Sequence, residues 1–404
     1  MIDFSDPEFL ADPYPTLNAV REETPIFTTG TAKGHGQQVT FLTRWDDVNR
    51  VQRDRRFGRV LDSMITREEM GLKWGFDWEP YFAVEEWSLL MLEPPEHTRI
   101  RGLVQKEFTP RRVEALRPLC RALADRFLDE CLERGDFDLL ADFAQPYSVH
   151  VITGLLGAPS SDWRQLLEWS HQIVKMYELD TTEDEARAAV VAAADFATWC
   201  RALMADRRAY PTDDLISGLV TVETEEGRLS DAEIVSTIIL LLNAGHEATV
   251  NTMGNGVTAL LDRRDEWQRL VAGEVAAATA IEEMMRFDSP LQLFERWVLD
   301  PEGVEVAGRS LQQGDKIAML FGAANRDPRH FPDPDRFDAA RGDRTHITFG
   351  AGTHHCLGAP LARVELDEAL AALVARAPDL EFAAVPTRAE AFVIHGYESV
   401  LVTT

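Results

Sequence analysis

The amino-acid sequence predicts a mainly α-helical protein with a small β portion. Helical patterns dominate: residues 111–133, for example, space their apolar side chains along one helical face. After position 290, short β-like runs (WVLD, GVEVAG and KIAML) follow one another, separated by Gly, Asp and Pro. The 404 residues contain no internal repeat, low-complexity tract or Gly/Ser linker, so we expect one domain over residues 1–404.

The composition limits the class of protein. Apolar residues make up 45% of the chain and charged residues 27%, which allows a sizeable core. Lys and Arg number 41 against 68 Asp and Glu, a net charge of −27. This charge argues against a nucleic-acid-binding protein, which needs a basic surface. Because copies with so much like charge repel one another, we expect a soluble monomer.

The amino terminus and the cysteines predict the compartment. The opening residues, MIDFSDPEFLADPYPTL, lack the basic start and apolar stretch of a signal peptide. The longest apolar runs, such as IILLL at 238–242, are far shorter than a membrane span. The four cysteines form no C-x-x-C pair and are expected to be reduced thiols. We therefore expect a cytoplasmic protein without membrane contact.

An aromatic-rich stretch occupies residues 66–90. Because its aromatic residues have no regular period, we expect a long loop or short helices there. The stretch either forms a hydrophobic cluster under a loop or lines a pocket. Its aromatic residues are Trp74, Phe76, Trp78, Tyr81, Phe82 and Trp87.

A long central helix is predicted to begin after Ser230. Ser230 and Glu233 have the spacing of a capping box, and a helical pattern then runs to about Leu261. At 1.5 Å per residue, about 30 residues would span roughly 45 Å, so the helix must cross the core. Its middle carries polar residues and a glycine, which are costly in a buried helix unless they have a function. These residues are Asn243, Gly245, His246, Glu247 and Thr249.

The last part of the chain mixes irregular and regular segments. Residues 322–345, rich in Pro, Asp and Arg, are predicted to form an irregular meander. A helix is predicted over 357–376, and the closing residues FVIHGYESVLVTT predict a strand hairpin. Between them, in ITFGAGTHHCLGAPLARVEL, a Gly-rich turn brings Cys356 to the start of the helix.

Cys356 by itself is compatible with several kinds of site. Structural zinc takes four ligands, usually from spaced pairs, so the consecutive residues His354, His355 and Cys356 do not favour it. A catalytic thiol is possible, because the dipole of the following helix favours a thiolate. A buried structural cysteine is the ordinary state of a lone cysteine.

The residues around Cys356 favour a fourth kind of site. Gly350, Gly352 and Gly358 remove side chains where the backbone must lie close to something flat, and Phe349 supplies an aromatic face. Their amide groups and the helix dipole can stabilise a thiolate. A thiolate beside a flat hydrophobic group is typical of an axial heme ligand.

The pattern Phe349-Gly350-x-Gly352-x-His354-x-Cys356-x-Gly358 is similar, position for position, to the F-G-x-G-x-H-x-C-x-G signature of the cytochrome P450 family. The resemblance covers nearly the whole chain and is closest to the soluble bacterial branch. It implies the cytochrome P450 fold, in which a long central helix lies over a heme held by a Cys loop. The other segments that resemble the family, in its order, are DPEFLADPYPTLNAVREE, LEPPEHTRIRGLVQKEFTPRRV, AGHEAT, EEMMR and ANRDPRHFPDPDRFD.

The resemblance implies how the chain would bind heme b (iron protoporphyrin IX). Cys356 matches the iron ligand, within a turn formed by Phe349, Gly350 and Gly352. Ala244 and Gly245 match the place where the central helix approaches the heme. The residues that match the family's partners of the two heme propionates are His97, Arg101, Arg296, His346 and His354.

The resemblance also implies a proton relay on the central helix, made of an acid followed by an alcohol. Glu247 fills the acid position, but Ala248 stands where the alcohol is usual, and Thr249 comes one residue later. One residue turns the hydroxyl by about 100° around the helix, so we do not expect Thr249 to be equivalent. We expect Glu247 to feed the relay. Either ordered water, Thr249 or a substrate hydroxyl replaces the alcohol, or the enzyme wastes reducing equivalents. His246 either lines the oxygen groove or is a satisfied core histidine, and we favour the core histidine.

The resemblance further implies a buried, fold-stabilising network of Glu283 and Arg286 with Arg336.

The predicted activity is that of a monooxygenase which hydroxylates a small hydrophobic organic substrate with dioxygen. Because the 48 residues that follow Cys356 leave no room for a flavin or iron–sulfur module, we expect electrons from an external ferredoxin and ferredoxin reductase. The alternatives are a peroxygenase or oxidative ring-coupling enzyme, a heme protein that binds a ligand without turnover, and a heme-free thiol or zinc enzyme.

Overall fold

The computed structural model describes residues 2–30, 38–59, 74–179, 181–224 and 227–404. Helices dominate these residues, as the sequence predicts. The α-helices are α1 Pro7–Ala11, α2 Tyr14–Glu23, α3 Trp45–Arg53, α4 Glu79–Glu85, α5 Glu96–Glu107, α6 Pro110–Ala115, α7 Arg117–Leu132, α8 Gln145–Leu156, α9 Trp163–Val174, α10 Glu183–Ala209, α11 Leu215–Thr221, α12 Asp231–Asp262, α13 Arg264–Val271, α14 Ala277–Phe287, α15 Phe321–Ala324 and α16 Ala359–Arg376.

The strands are short. They are β1 Ile26–Gly30, β2 Gln38–Leu42, β3 Phe57–Gly58, β4 Phe137–Asp138, β5 Glu223–Thr224, β6 Gly227–Arg228, β7 Leu293–Val298, β8 Val304–Val306, β9 Arg309–Leu311, β10 Lys316–Leu320, β11 Glu381–Phe382, β12 Thr387–Arg388, β13 Tyr397–Ser399 and β14 Leu401–Thr403. Among the described residues, a π-helix covers Leu139–Ala144, and 3₁₀-helices cover Lys175–Tyr177 and Gly352–His354.

The chain divides into two compact units. The larger unit consists of Met1–Gly58, Arg117–Tyr147 and Ala248–Thr404. The smaller unit consists of Arg59–Leu116 and Ser148–Glu247. Helix α12 contributes its residues up to Glu247 to the smaller unit and the rest to the larger one. The organisation as a single domain stays a prediction.

The larger unit contains a five-stranded sheet in the order β1-β2-β10-β7-β3. β2 and β10 run parallel, and the other neighbours are antiparallel. The register places Arg296 of β7 opposite Ile317 of β10. One buried cluster holds the sheet against α3 and α15, through residues such as Val48, Val298, Ile317, Met319 and Phe321. The predicted strands after position 290 are confirmed.

Helix α16 carries the residues that follow the cysteine turn. It packs against α7 and α14 of the same unit. Pro360 lies in its first turn, where a missing N–H leaves no helical hydrogen bond unmade. The helix predicted over 357–376 is confirmed, and its packing fixes the position from which the turn departs.

The long central helix is α12, which begins at Asp231 and ends at Asp262. The Ser230 amide donates to Glu233 Oε2 at 2.7 Å, and the Glu233 amide donates to Ser230 Oγ at 3.3 Å. This reciprocal pair satisfies two amides that the helix itself cannot bond. The predicted capping box is therefore confirmed.

Two predicted elements were wrong. Residues 111–133 are two helices, α6 and α7, because Pro118 has no amide hydrogen to continue one helix through Leu116. The closing residues are not a hairpin: β13 pairs with β12, whereas β14 pairs with β11 and β4. Only Val400 separates β13 from β14, and a hairpin needs at least a two-residue turn.

The buried ion pair of α14 has a different third partner from the one predicted. Arg286 donates to both carboxylate oxygens of Glu283 at 2.7 and 2.8 Å, and both side chains are fully buried. Arg341 lies 3.1 Å from Glu283, whereas Arg336 is exposed. Arg286 also donates to the carbonyls of Asn325 and Pro334. The network thus ties α14 to the irregular meander through Arg341 instead of Arg336.

Among the described residues, α10 is the one helix that is long and apolar enough to cross a membrane. Half of its most apolar window is buried inside the protein. The helix packs against α4, α9 and α11 of the smaller unit. Burial in that unit accounts for its apolar residues.

Candidate active site

The cysteine turn, residues 346–358, lies in the larger unit between the meander and α16. Gly350 and Gly352 have φ values of 67° and 68°, a region that side chains other than glycine rarely adopt. The Cys356 amide donates to the Phe349 carbonyl at 2.8 Å, which closes the turn. Cys356 is half-buried, whereas the other three cysteines are buried. The turn therefore presents one accessible thiol on a fixed backbone.

The turn also packs closely on α3. A Cβ atom on Gly352 would lie 2.3 Å from the carbonyl oxygen of Gln52, which is far too close for two non-bonded atoms. At Gly358, by contrast, a Cβ atom would lie 3.8 Å from Cys356 Sγ, an ordinary contact. Glycine is thus required at position 352 both by the φ value there and by the close approach of α3.

The other three cysteines have no features of a reactive thiol. Burial raises the pKa of Cys120 to about 12 and that of Cys131 to about 11. Burial also raises the pKa of Cys200. A thiol with a raised pKa is a poor nucleophile and a poor metal ligand.

Three basic residues predicted to hold heme propionates lie in the same unit as the turn. Arg296 is buried on β7, where its guanidinium lies 4.4 Å from the centre of the Phe294 ring. His354 ends the 3₁₀-helix of the turn and is half-buried. His346 is buried, and its Nε2 lies 3.0 Å from Glu282 Oε2. The propionate roles of all three stay predictions.

Glu282 and Arg363 form a charged support under the turn that the sequence reasoning missed. Arg363 donates to Glu282 at 2.7 Å, and its guanidinium lies 4.6 Å from the centre of the Phe349 ring. Burial raises the pKa of Glu282, but the hydrogen bonds from His346 and Arg363 outweigh it and hold the pKa at about 2. The sequence did contain a signal for this pair: Glu282 is a second acid directly before Glu283, and Arg363 follows Cys356 by seven residues.

Two further predicted propionate partners lie on α5 of the smaller unit. His97 is buried and Arg101 is half-buried. Four residues apart, they share one side of the helix, as the sequence predicts. Their contact with a propionate stays a prediction.

Gly245 has a packing role that the sequence reasoning did not foresee. A Cβ atom at this position would lie 2.9 Å from the side chain of Ile152 on α8. Ser148 of α8 also donates to the Gly245 carbonyl at 3.4 Å. The missing side chain thus lets α12 lie close to α8. On the same helix, Ala244 and Ala248 are exposed although most of their neighbours are buried.

Glu247 lies on α12 beside two imidazoles. Its Oε1 is 3.2 Å from His171 Nε2 of α9 and 3.4 Å from His246 Nε2. Burial raises the pKa of Glu247, but the two imidazoles outweigh it and leave the pKa below its usual value. Burial lowers the pKa of His171, although the Glu247 charge opposes it. Glu247 is therefore a carboxylate at neutral pH.

Thr249 faces a different carboxyl group, within the larger unit. Its hydroxyl donates to Glu365 Oε2 of α16 at 3.3 Å, and both residues are buried. Burial raises the pKa of Glu365 well above its usual range, and the Thr249 hydrogen bond lowers it only in part. Glu365 therefore holds its proton to higher pH than an ordinary carboxyl group does. The one-residue offset thus pairs Thr249 with Glu365.

His171 and Glu365 are residues that the sequence reasoning missed. Glu365 carried a signal: it lies on the buried stripe of α16, four residues from Leu361 and from Ala369. A carboxyl group on an apolar stripe needs a reason. His171 carried no such signal, because its distance from Glu247 depends on how α9 packs on α12.

The aromatic stretch forms part of the smaller unit. Residues 66–73 of the predicted stretch lie outside the described residues. Phe76 stacks on Trp78 with ring centres 4.7 Å apart, and Trp78 packs edge-on against Tyr81. Trp87 lines a groove of about 340 Å³ with α10 and the start of α12. The stretch thus forms a hydrophobic cluster and one wall of a groove.

The donor set fits a heme bound through a thiolate. The thiol is half-buried on a turn that two positive-φ glycines shape, and a carbonyl fixes its backbone. The His346 Nδ1 atom is buried without a hydrogen-bond partner among the described residues. Within the larger unit, the buried basic residues Arg296 and His346 suit a carboxylate. A zinc site at the turn would need further thiol or imidazole ligands.

Comparison with known proteins agrees with this fit. The sequence model of the family described as cytochrome P450 matches residues 276–377. Polyketide biosynthesis cytochrome P450 PksS of Bacillus subtilis is 36% identical, over 94% of this chain and 92% of that protein. 6-Deoxyerythronolide B hydroxylase of Saccharopolyspora erythraea is 35% identical, over 94% of this chain and 92% of that protein.

Solved structures extend the likeness to the fold. PksS matches with a TM-score of 0.90 at 34% identity, covering 100% of this chain and 99% of that chain. P450BioI, in complex with a hexadec-9Z-enoic acid-ligated acyl carrier protein, matches with a TM-score of 0.90 at 29% identity, covering 98% and 99%. This chain therefore belongs to the cytochrome P450 family. It is an oxidoreductase of the monooxygenase class, and members of the family bind heme b through a cysteine thiolate.

Proposed function

We propose that Cys356 is the thiolate ligand of heme b and that the protein hydroxylates a hydrophobic small organic molecule. The observation that carries the proposal is the cysteine turn, in which Gly350 and Gly352 fix the backbone that presents the thiol. When bound, the heme activates dioxygen and inserts one oxygen atom into the substrate. The protein's own residues position the cofactor, orient the substrate and supply protons.

Basic residues hold the two propionates in this proposal. His97 and Arg101 of α5, with Arg296, His346 and His354 of the larger unit, offer N–H donors that match carboxylate oxygens. In a chain with a net charge of −27, such a set of basic residues has a clear electrostatic task. Glu282 and Arg363 keep His346 and Phe349, in the first part of the turn, in place.

Glu247 is the proton donor of the relay in this proposal. Its carboxylate receives protons from solvent through His171, whose side chain is 38% exposed, and passes them on from α12. Thr249 acts with less effect, because its hydroxyl is already engaged with Glu365. Ala248 offers no hydroxyl, so ordered water or a substrate hydroxyl completes the relay.

The substrate and the partners are argued from the relatives. PksS belongs to polyketide biosynthesis, a second relative is named 6-deoxyerythronolide B hydroxylase, and P450BioI is known with an acyl carrier protein carrying a fatty acid. We therefore favour a polyketide or fatty-acyl substrate. Dioxygen is the co-substrate, and a ferredoxin with its reductase supplies electrons to this protein in the cytoplasm, where it acts as a monomer.

The carbon-monoxide complex of the reduced protein tests the proposal. We expect the strongly red-shifted Soret band of thiolate ligation in the wild type, and its loss in Cys356→Ser. Cys131→Ser is the matched control, because a hydroxyl there can still donate to the Asp142 carbonyl, 3.6 Å from the sulfur. A colourless protein, or an unchanged band in Cys356→Ser, contradicts the proposal.

Ala248 favours one alternative activity, that of a peroxygenase. Without an alcohol at this position, proton delivery to dioxygen is weakened, whereas peroxide already brings its protons. Turnover of one substrate is therefore measured with ferredoxin, reductase and dioxygen, and then with peroxide alone. Faster turnover with peroxide would favour the peroxygenase.

A further inference from the structure

Three metal-ligating side chains come together in the smaller unit, on α9 and α12. The ligand atoms of His171, His246 and Glu247 all lie within 4.8 Å of one another. His171 Nε2 and His246 Nε2 lie 3.2 and 3.4 Å from the same oxygen, Glu247 Oε1. In a tetrahedral zinc site with bonds of about 2.0–2.1 Å, neighbouring ligand atoms are about 3.3–3.4 Å apart. Two of the three spacings already match this geometry.

The hydrogen bonding of His246 favours a cation at this point. His246 Nδ1 lies 3.0 Å from the Leu242 carbonyl, an oxygen that can only accept, so Nδ1 carries the proton. In the neutral ring, Nε2 then presents its lone pair to the Glu247 carboxylate. Nε2 is buried and has no hydrogen-bond partner among the described residues. Two lone pairs that face each other repel unless a proton or a metal ion lies between them.

The Nδ1 contact is also what a metal-binding imidazole needs. Histidines that bind metals usually donate their other ring N–H to a carbonyl or carboxylate, which fixes the tautomer and the ring. Glu247 brings the negative charge that a divalent ion requires. Two histidines and one carboxylate are a known ligand set for zinc, and they leave the fourth position to water.

His171 supplies the route of entry and the ligand that can move. Its side chain is 38% exposed, whereas those of Glu247 and His246 are 16% and 1% exposed. An ion can therefore arrive from the His171 side, and a rotation of this ring can shorten its distance to His246. Glu168 and Lys175 are the nearby charged residues that act on His171 in opposite senses.

We propose that His171, His246 and Glu247 form a binding site for one divalent transition-metal ion, with Zn²⁺ as the probe, and that the bound ion inhibits turnover. A carboxylate bound to zinc cannot take up and release protons, so occupation would withdraw Glu247 from the relay. The inhibitory part rests on the proposed function, whereas the binding site does not.

The binding test uses the purified holoenzyme, freed of metals other than heme iron with a chelator. Zinc affinity is measured by competition with a fluorescent zinc indicator. We expect one zinc ion per wild-type chain and at least about 100-fold weaker binding in His171→Ala, since losing a ligand costs more than losing a second-shell partner. The control His150→Ala changes a half-buried histidine of the same unit, whose ring lies against Trp163, and should bind as the wild type does.

Either of two results would overturn the site. One is an affinity in His171→Ala equal to that of the wild type, with the heme spectrum proving that both are folded. The other is an absence of zinc binding to the wild type, which would mean that a proton alone bridges His246 and Glu247.

The inhibition test compares turnover with and without zinc at concentrations that fill the site. Each rate is divided by the zinc-free rate of the same variant, because His171→Ala by itself weakens the proposed relay. Zinc should lower this ratio for the wild type and not for His171→Ala, while reduction of the ferredoxin by its reductase, measured separately, stays unchanged. Binding without inhibition overturns the second half of the proposal. If the protein oxidises no compound, the zinc affinities are still measured, so the two proposals fail separately.

Discussion

Two carboxyl groups, one in each unit, have pKa values shifted in opposite directions although both are largely buried. Glu247 of the smaller unit contacts two imidazoles, and its pKa lies below the usual value. Glu365 of the larger unit is bonded by one hydroxyl, and burial raises its pKa well above the usual range. Burial favours the neutral form in both places, but only a cationic or strongly donating partner outweighs it. The partner thus decides which carboxyl group is the base and which is the acid.

Replacing Glu247 should have the largest effect on turnover. In Glu247→Gln the shape is kept but no proton can be taken up or released, so we expect turnover to fall by about 100-fold. The measurement is the rate of product formation with ferredoxin and reductase, together with the fraction of electrons that reach product. The shift of heme spin state on substrate binding should be unchanged, since it reports binding. Unchanged turnover and coupling would contradict the relay.

Replacing Glu365 should instead change how stability depends on pH. In the wild type the folded-state pKa is raised, so unfolding releases a proton above about pH 4.3, the unfolded value, and stability falls as the pH rises. Glu365→Gln keeps the neutral, hydrogen-bonding shape without this penalty. Its stability relative to the wild type should therefore rise by about 1.4 kcal/mol per pH unit between about pH 4.3 and the folded-state pKa of Glu365, and level off above that pKa.

Urea unfolding of the holoenzyme at several pH values measures this slope, and Glu247→Gln gives the contrast. Because the folded-state pKa of Glu247 is lowered, its stabilising charge is present above about pH 4.3 and is lost as the pH falls through the folded value. The difference between Glu247→Gln and the wild type should therefore fade at low pH. If the stability of both variants relative to the wild type changed with pH in the same direction, the opposite pKa shifts of Glu247 and Glu365 would be contradicted.

Removing one imidazole should raise the pKa of Glu247 towards that of Glu365. In His171→Gln the carboxylate loses a partner that lowers its pKa, so the pKa should rise. The acidic limb of the pH–rate profile should then move to higher pH, since Glu247 takes up each proton as a carboxylate, and the maximal rate should fall because the route through His171 is lost. The control His150→Gln should leave the limb in place. A limb that does not move would mean that His246 alone sets the charge.

The sequence predicts local features of this molecule better than distant contacts. The start of α12 and the turn before α16 follow from residues a few positions apart, and the structure has both. The break between α6 and α7 at Leu116 also has a local cause, because Pro118 is the second residue of α7. The apolar pattern nevertheless continues across this break. Long regular patterns therefore hide short interruptions.

Distant contacts could be predicted only where a resemblance supplied them. The Glu283–Arg286 pair was expected, yet its third partner is Arg341 and not Arg336, because the meander's irregular path decides which arginine turns inward. Likewise, the sequence marks Glu247 as unusual, but that His171 contacts it depends on helix packing. Packing of side chains from separate elements is the part that pattern alone does not determine.

Replacing Thr249 should have the smallest effect, and it tests whether Glu365 depends on its one partner. Thr249→Val keeps the shape but removes the hydroxyl, so the buried carboxyl group loses a hydrogen bond worth about 1 kcal/mol. Urea unfolding measures this loss, and turnover should fall far less than in Glu247→Gln. Because the hydroxyl lowers the pKa of Glu365, its removal leaves the acid more firmly neutral. A loss of turnover as large as that of Glu247→Gln would mean that the relay runs through Thr249, and that the two carboxyl groups share the task.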